Sequence, residues 1–223
     1  MTKSGPTQAR LELAAQTRRI IDELVTSTAS EAAFEQARQL VAAAAEVLAV
    51  RDHGRAYEGS AEGSLTEYQH RTHLDYSPLV GLLNPLSPPL EMTMHADRVE
   101  AVVTYGLAYE GPPGCLHGGL VAAGFDEVLG FAQALGGFPG MTGRLTVNYR
   151  SPTPLFAPVR YICRFDRMEG RKIFASGELR VVADDRLCAE SEGLFVSMRP
   201  EVFEQLMRVR GGVAGAAVPP PTD

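Results

Sequence analysis

Gly118-Gly119-Leu120-Val121-Ala122-Ala123-Gly124-Phe125-Asp126-Glu127-Val128-Leu129-Gly130-Phe131-Ala132-Gln133-Ala134-Leu135 carries only two charges, side by side at Asp126 and Glu127. Its apolar residues point in nearly every direction around a 3.6-residue turn, so the expectation is a buried helix from about Gly118 to Leu135. The flanking segments are strand-like. Glu91 to His95 and Val99 to Leu107 are joined by Ala96-Asp97-Arg98, short enough for a hairpin. After the helix come Thr142 to Arg150, Val159 to Met168, Ile173 to Val182 and Leu187 to Met198, the last three separated by Glu169-Gly170-Arg171 and Asp184-Asp185 turns. Ile173, Ala175, Gly177, Leu179 and Val181 alternate with Phe174, Ser176, Glu178 and Arg180, the period of a sheet covered on one face. One buried helix against an antiparallel sheet is an α+β fold.

The first fifty residues are Ala-rich with helical spacing, first at Ile20, Ile21, Leu24 and Val25, then at Phe34, Ala37, Val41, Ala44, Ala45 and Leu48. Two amphipathic helices are expected, with a joint near Ser27 and a capping box at Thr28-Ala29-Ser30-Glu31. Residues 51–84 form a Gly- and Pro-bearing connector. Asn84-Pro85-Leu86-Ser87-Pro88-Pro89 should be an extended, stiff entry to the domain, which runs over residues 85–210. The tail, 211–223, is Gly, Ala and Pro without periodicity and reads as disordered.

The chain has 223 residues and a formal net charge of −6, which argues against a nucleic-acid surface. Cys115, Cys163 and Cys188 make no closed disulfide framework and no zinc-type spacing, so they are read as reduced and the protein as cytoplasmic. The charged N-terminus is not a secretory signal, and no run reaches the ~18 apolar residues of a membrane span. His53, His70, His73 and His95 match no metal-ligand pattern, His70-x-x-His73 included, so no metal is expected.

Gly111-Pro112-Pro113-Gly114-Cys115-Leu116-His117-Gly118-Gly119 leads into the buried helix. A first helical turn has unpaired N–H groups and partial positive charge. Glycine at 118 and 119 leaves those amides open to a ligand, so a carbonyl oxygen gaining negative charge could be stabilised there. The same residues would also serve a plain loop-to-helix junction. Asp126 inside an apolar helix needs either a partner or a task.

The run from His117-Gly118-Gly119 to Asp126 resembles the signature of hot-dog thioesterases of the PaaI-like group. Met141-Thr142-Gly143-Arg144-Leu145-Thr146-Val147-Asn148-Tyr149-Arg150-Ser151-Pro152 and Glu169-Gly170-Arg171-Lys172 are similar to strands of its long-chain acyl-CoA thioesterase relatives. The resemblance covers roughly residues 85–200. It implies a long helix wrapped by a curved antiparallel sheet and acyl-CoA hydrolysis without metal or other cofactor. By position it gives the Gly118 amide the task of polarising the thioester carbonyl, Asp126 that of base or nucleophile, and Thr142 that of orienting water. His117 would shape the loop and hydrogen-bond near the carbonyl. Some relatives carry Asn or Gln six residues before the histidine, where this chain has Gly111, so its carbonyl site should rest more on backbone amides.

Eight residues of helix separate Gly118 from Asp126, about 12 Å of rise, too far for both to touch one carbonyl. A twofold dimer with antiparallel helices would place Gly118 of one copy opposite Asp126 of the other, giving a homodimer or a dimer of dimers. Gly119, Asn84, Arg150, Arg171 and Lys172 complete the substrate-binding candidates, the cations for CoA phosphates. The alternatives are an acyl-CoA-binding hot-dog module without turnover, and a hydratase or dehydratase on the same fold, for which no Asp-x-Asn-Pro-x-His pattern exists. Acyl-chain specificity stays open.

Overall fold

The computed structural model describes residues 7–49, 74–137 and 140–197. Helices α1 (Gln8–Thr26) and α2 (Glu31–Leu48) precede strands β1 (Glu91–Met94) and β2 (Val99–Thr104), a 3-10 turn (Leu107–Tyr109) and the long helix α3 (Gly118–Ala134). Strands β3 (Gly140–Tyr149), β4 (Pro158–Glu169), β5 (Lys172–Val181) and β6 (Leu187–Ser197) follow. All pairings are antiparallel, in the order β1-β2-β4-β5-β6-β3, which leaves β3 on an edge. One helix against one face of a curved antiparallel sheet is the expected hot-dog architecture.

Alternation decides which sheet face meets α3. Val99, Ala101 and Val103 of β2, Val159, Tyr161 and Cys163 of β4, and Ile173, Ala175, Leu179 and Val181 of β5 are buried beneath it. Gly124 sets the helix height, because a Cβ there would lie 2.3 Å from Tyr161 Oη. With no side chain in the way, the Tyr161 ring meets Phe125 edge-on, centroids 5.1 Å apart, and its hydroxyl pairs with Tyr105 Oη at 3.2 Å. On the outer face Glu178 of β5 stands directly across from Glu190 of β6, a repulsive pair. Arg180 and Arg150 offset it, each holding one of the two carboxylates at 2.7 and 2.6 Å.

Helix α3 differs from its expected all-round burial. Val121, Phe125, Val128, Leu129 and Ala132 face the sheet, whereas Gly119 and Asp126 are exposed and Ala123 and Gly130 only partly covered. These four lie on one stripe at helical spacing. A near-continuous apolar run conceals the side because the open stripe is made of small residues.

The joint between the first two helices is at Ser27, as expected, but the cap of α2 is Ser30, whose Oγ accepts from Ala33 N at 3.3 Å. Thr28 does not cap, because the helix begins at Glu31 itself and puts the serine one residue ahead of it. The 84–89 entry is also bent: Ser87 N donates to Asn84 O at 3.0 Å, so Pro85 and Leu86 form a turn. Helix α1 lies on this segment, with Arg18 Nη1 donating to Leu82 O and Asn84 O, both at 3.2 Å. Helix α2 buries none of its residues. Among the described residues no helix is long and apolar enough to cross a membrane. His53, His70, His73 and the 211–223 tail lie outside the described residues.

Candidate active site

The loop before α3 closes on itself. Gly111 N donates to Cys115 O at 2.9 Å, and His117 N to Tyr109 O at 3.0 Å. A Cβ on Gly111 would sit 2.7 Å from the His117 Cα, so no side chain fits there unless the loop shifts.

His117 is the N-cap of α3, and its Nδ1 accepts from Gly119 N at 3.0 Å. The Gly119 amide is therefore engaged within the loop and unavailable to a substrate. That residue acts sterically instead, since a Cβ would press on the imidazole at 3.1 Å. Leu120 and Val121 N–H groups donate to His117 O. Of the first-turn amides only Gly118 N–H lacks an acceptor among the described residues, which singles it out as the donor for an oxyanion.

Asp126 lies on the open side of α3, where Thr142 Oγ1 donates to its Oδ1 at 2.7 Å. A β-bulge arranges this contact. The β3–β6 register jumps between Thr142, opposite Phe195, and Arg144, opposite Leu194, leaving Gly143 unpaired. Thr142 thus joins the inward row of Leu145, Val147 and Tyr149, which strict alternation would deny it. At the far end of that row Tyr149 Oη donates to Gly118 O at 2.8 Å. β3 is thereby pinned antiparallel to α3 at two points, Thr142 to Asp126 and Tyr149 to Gly118.

The neighbouring Glu127 turns the other way. Its Oε1 accepts from Ser77 Oγ at 3.2 Å, and Ser77, within the 74–90 segment, is fully buried. Burial pushes the Glu127 carboxyl up to about 6, with the nearby Asp126 charge adding to the rise and the Ser77 hydrogen bond opposing it.

The remaining candidates are dispersed. Asn84 holds its own loop, with Nδ2 donating to Tyr76 O at 3.1 Å and Oδ1 accepting from Leu86 N at 3.0 Å. Arg150 follows the Tyr149 end of β3 and is paired with Glu190. Arg171 donates through Nε and Nη2 to Ser197 O, beside the Gly140 end, and the exposed Lys172 opens β5 there. Ten strand residues, roughly 30 Å, separate the two ends within one chain. Tyr149 and the Glu127–Ser77 pair were not singled out from sequence. Tyr149 had a legible signal in the period-two row Leu145, Val147, Tyr149; Ser77, fifty residues from its partner, had none.

A crystal structure of a thioesterase superfamily protein is 33% identical to this chain, covers 86% of it and 97% of its own length, and superposes with a TM-score of 0.74. The chain belongs to the thioesterase superfamily. Within that superfamily it is 39% identical over 92 residues to acyl-coenzyme A thioesterase THEM4 of Bos taurus, a match spanning 41% of this chain and 38% of the relative. To THEM4 of Xenopus laevis it is 39% identical over 105 residues, 46% of each. The matched region thus spans less than half the length of these curated relatives. No family model matches the chain. The match over 97% of a thioesterase superfamily chain fixes the fold family, a hot-dog domain.

Proposed function

We propose that this protein hydrolyses acyl-CoA thioesters to free acid and CoA, in two equivalent sites shared across a homodimer. The observation that carries the reading is a free Gly118 amide at the start of α3 together with a hydroxyl-bound Asp126 two turns along on its open stripe. The exposed edge of β3 and the small residues Gly119, Ala123 and Gly130 allow a second copy to approach closely and antiparallel. The midpoint of Gly118 and Asp126 is Ala122; that of Thr142 and Tyr149 lies between Leu145 and Thr146. A twofold axis through both exchanges the two pinned contacts, so Asp126 and Thr142 of one copy meet Gly118 of the other.

In such a site Gly118 N–H and the positive end of α3 stabilise the carbonyl oxygen as it becomes an oxyanion. Thr142 Oγ1 donates a hydrogen bond to Asp126 Oδ1, leaving the hydroxyl oxygen and Asp126 Oδ2 to accept the two hydrogens of a water. Asp126, as general base, takes one proton while the water oxygen attacks the carbonyl carbon. Collapse of the tetrahedral intermediate breaks the C–S bond, and the CoA thiolate leaves and is reprotonated. No metal or further cofactor takes part. The same axis brings Arg150 of one copy towards Arg171 and Lys172 of the other, where the CoA phosphates would lie. A pure acyl-CoA binder has no use for a carboxylate and hydroxyl beside the carbonyl.

The test is complementation between two inactive copies. Gly118→Pro removes the N–H alone, because proline suits a first helical position, His117 already has the extended φ −60°, ψ 130° that precedes proline, and a Cβ meets Tyr149 at an ordinary 3.4 Å. Gly118→Pro and Asp126→Asn should each release CoA at a small fraction of the wild-type rate, roughly 10³-fold down for Asp126→Asn. Refolded together in equal amounts they should regain about a quarter of wild-type turnover, since half the dimers are mixed and each mixed dimer has one intact site. No recovery would sink the shared site, and no CoA release by wild type from any acyl chain would sink the activity.

A further inference from the structure

We propose that Tyr149 is a positioning residue for the carbonyl-binding amide, acting through a hydrogen-bonded relay that ends on His117; the proposal rests on the thioesterase reading above. The relay has three members. Tyr149 Oη donates to Gly118 O at 2.8 Å, that carbonyl shares its peptide with Gly119 N–H, and Gly119 N–H donates to His117 Nδ1 at 3.0 Å. Bonds on opposite sides of one amide polarise each other, so the phenol strengthens the Gly119–His117 bond. Because Nδ1 accepts, the ring proton resides on Nε2.

The relay has a mechanical task. Gly118 has the freest backbone in the chain's alphabet, and a donor useful to a transition state must not wander. Tyr149 holds the carbonyl on one side of the Gly118 Cα, and the N-cap geometry of His117 holds the amide on the other. Burial does not account for a tyrosine here, since the side chain is 56% exposed at the end of an edge strand. Its hydroxyl and ring lie only 3.4–3.5 Å from where a Gly118 Cβ would be, so the tyrosine packs directly on that residue. On the proposed twofold axis the exposed part of Tyr149 faces the Asp126–Thr142 pair of the second copy, so one phenol borders both halves of a site.

Tyr149→Phe should lower kcat about tenfold with KM within about twofold, equally for short and long acyl chains, without a change in melting temperature. The imidazole 15N spectrum gives a readout independent of turnover: wild type should show protonated Nε2 and acceptor Nδ1 at His117, and Tyr149→Phe a mixture of tautomers. Tyr149→Leu should lose no more than about twofold beyond Tyr149→Phe, because the hydroxyl and not the ring does the positioning. Wild-type kcat in Tyr149→Phe, a loss confined to KM, or a loss seen only in Tyr149→Leu would each overturn the proposal. If wild type releases no CoA from any substrate, the activity fails, and an unaltered His117 spectrum in Tyr149→Phe would separately overturn the relay.

Discussion

On the open side of α3 the Asp126 carboxylate stands in solvent with one hydroxyl, Thr142, as its partner. One residue along, on the covered side, the Glu127 carboxylate lies against buried Ser77, pushed up to about 6. About 100° of helical rotation separates two acids of nearly the same chemistry. The difference shows that charge placement on a helix is read by what lies opposite: an edge strand with room for a second chain and water in one case, a packed loop in the other.

The comparison breaks most sharply at Asp126. Asp126→Asn should reduce kcat roughly 10³-fold with dimerisation and melting unchanged, whereas Glu127→Gln should leave kcat within about threefold. Acyl-CoA hydrolysis followed by thiol release measures both, and comparable losses would erase the distinction between the two sides. On the covered side packing, not chemistry, should dominate. Gly124→Val would press on the Tyr161 hydroxyl, 2.3 Å from the new Cβ, and should cost about 2–3 kcal/mol in urea unfolding.

The smallest effect sharpens the contrast through pH. Burial raises the Glu127 carboxyl from 4.5 to about 6, so the folded chain holds that proton more tightly than the unfolded chain. The resulting stabilisation is complete below about 4.5 and is lost as pH rises through about 6, a change of about 1–2 kcal/mol. Glu127→Gln keeps a neutral acceptor for Ser77 and should flatten this part of the urea-midpoint profile. A wild-type and variant profile of equal slope between pH 4.5 and 7 would show that Glu127 is solvated after all.

The strands were legible because alternation and turn residues are local: β4, expected over Val159 to Met168, runs from Pro158 to Glu169. Helix α3 was legible to within a residue of its end. Gly118, Asp126 and Thr142 came from a motif. What joins them did not, because the partners of Tyr149 and Ser77 lie 31 and 50 residues away and no periodicity encodes such a distance. The open side of α3 was hidden for a related reason, as small apolar residues suit a buried face and a close interface equally well. Asn84 and Gly119 looked available because a sequence does not reveal which polar groups their own loop already engages.

Gly143 changes the phase of β3 once, by half a period. Before it the chain shows Thr142 to the helix; after it, Leu145, Val147 and Tyr149 take the inward turns, and the β6 residues opposite them, Phe195, Gly193, Ser191 and Ala189, keep step without interruption. A deletion there would not shorten the strand so much as detune it, turning either the hydroxyl or the phenol to the wrong side. In a dimer built on one such ribbon from each copy, the same single-residue slip is felt in both sites at once.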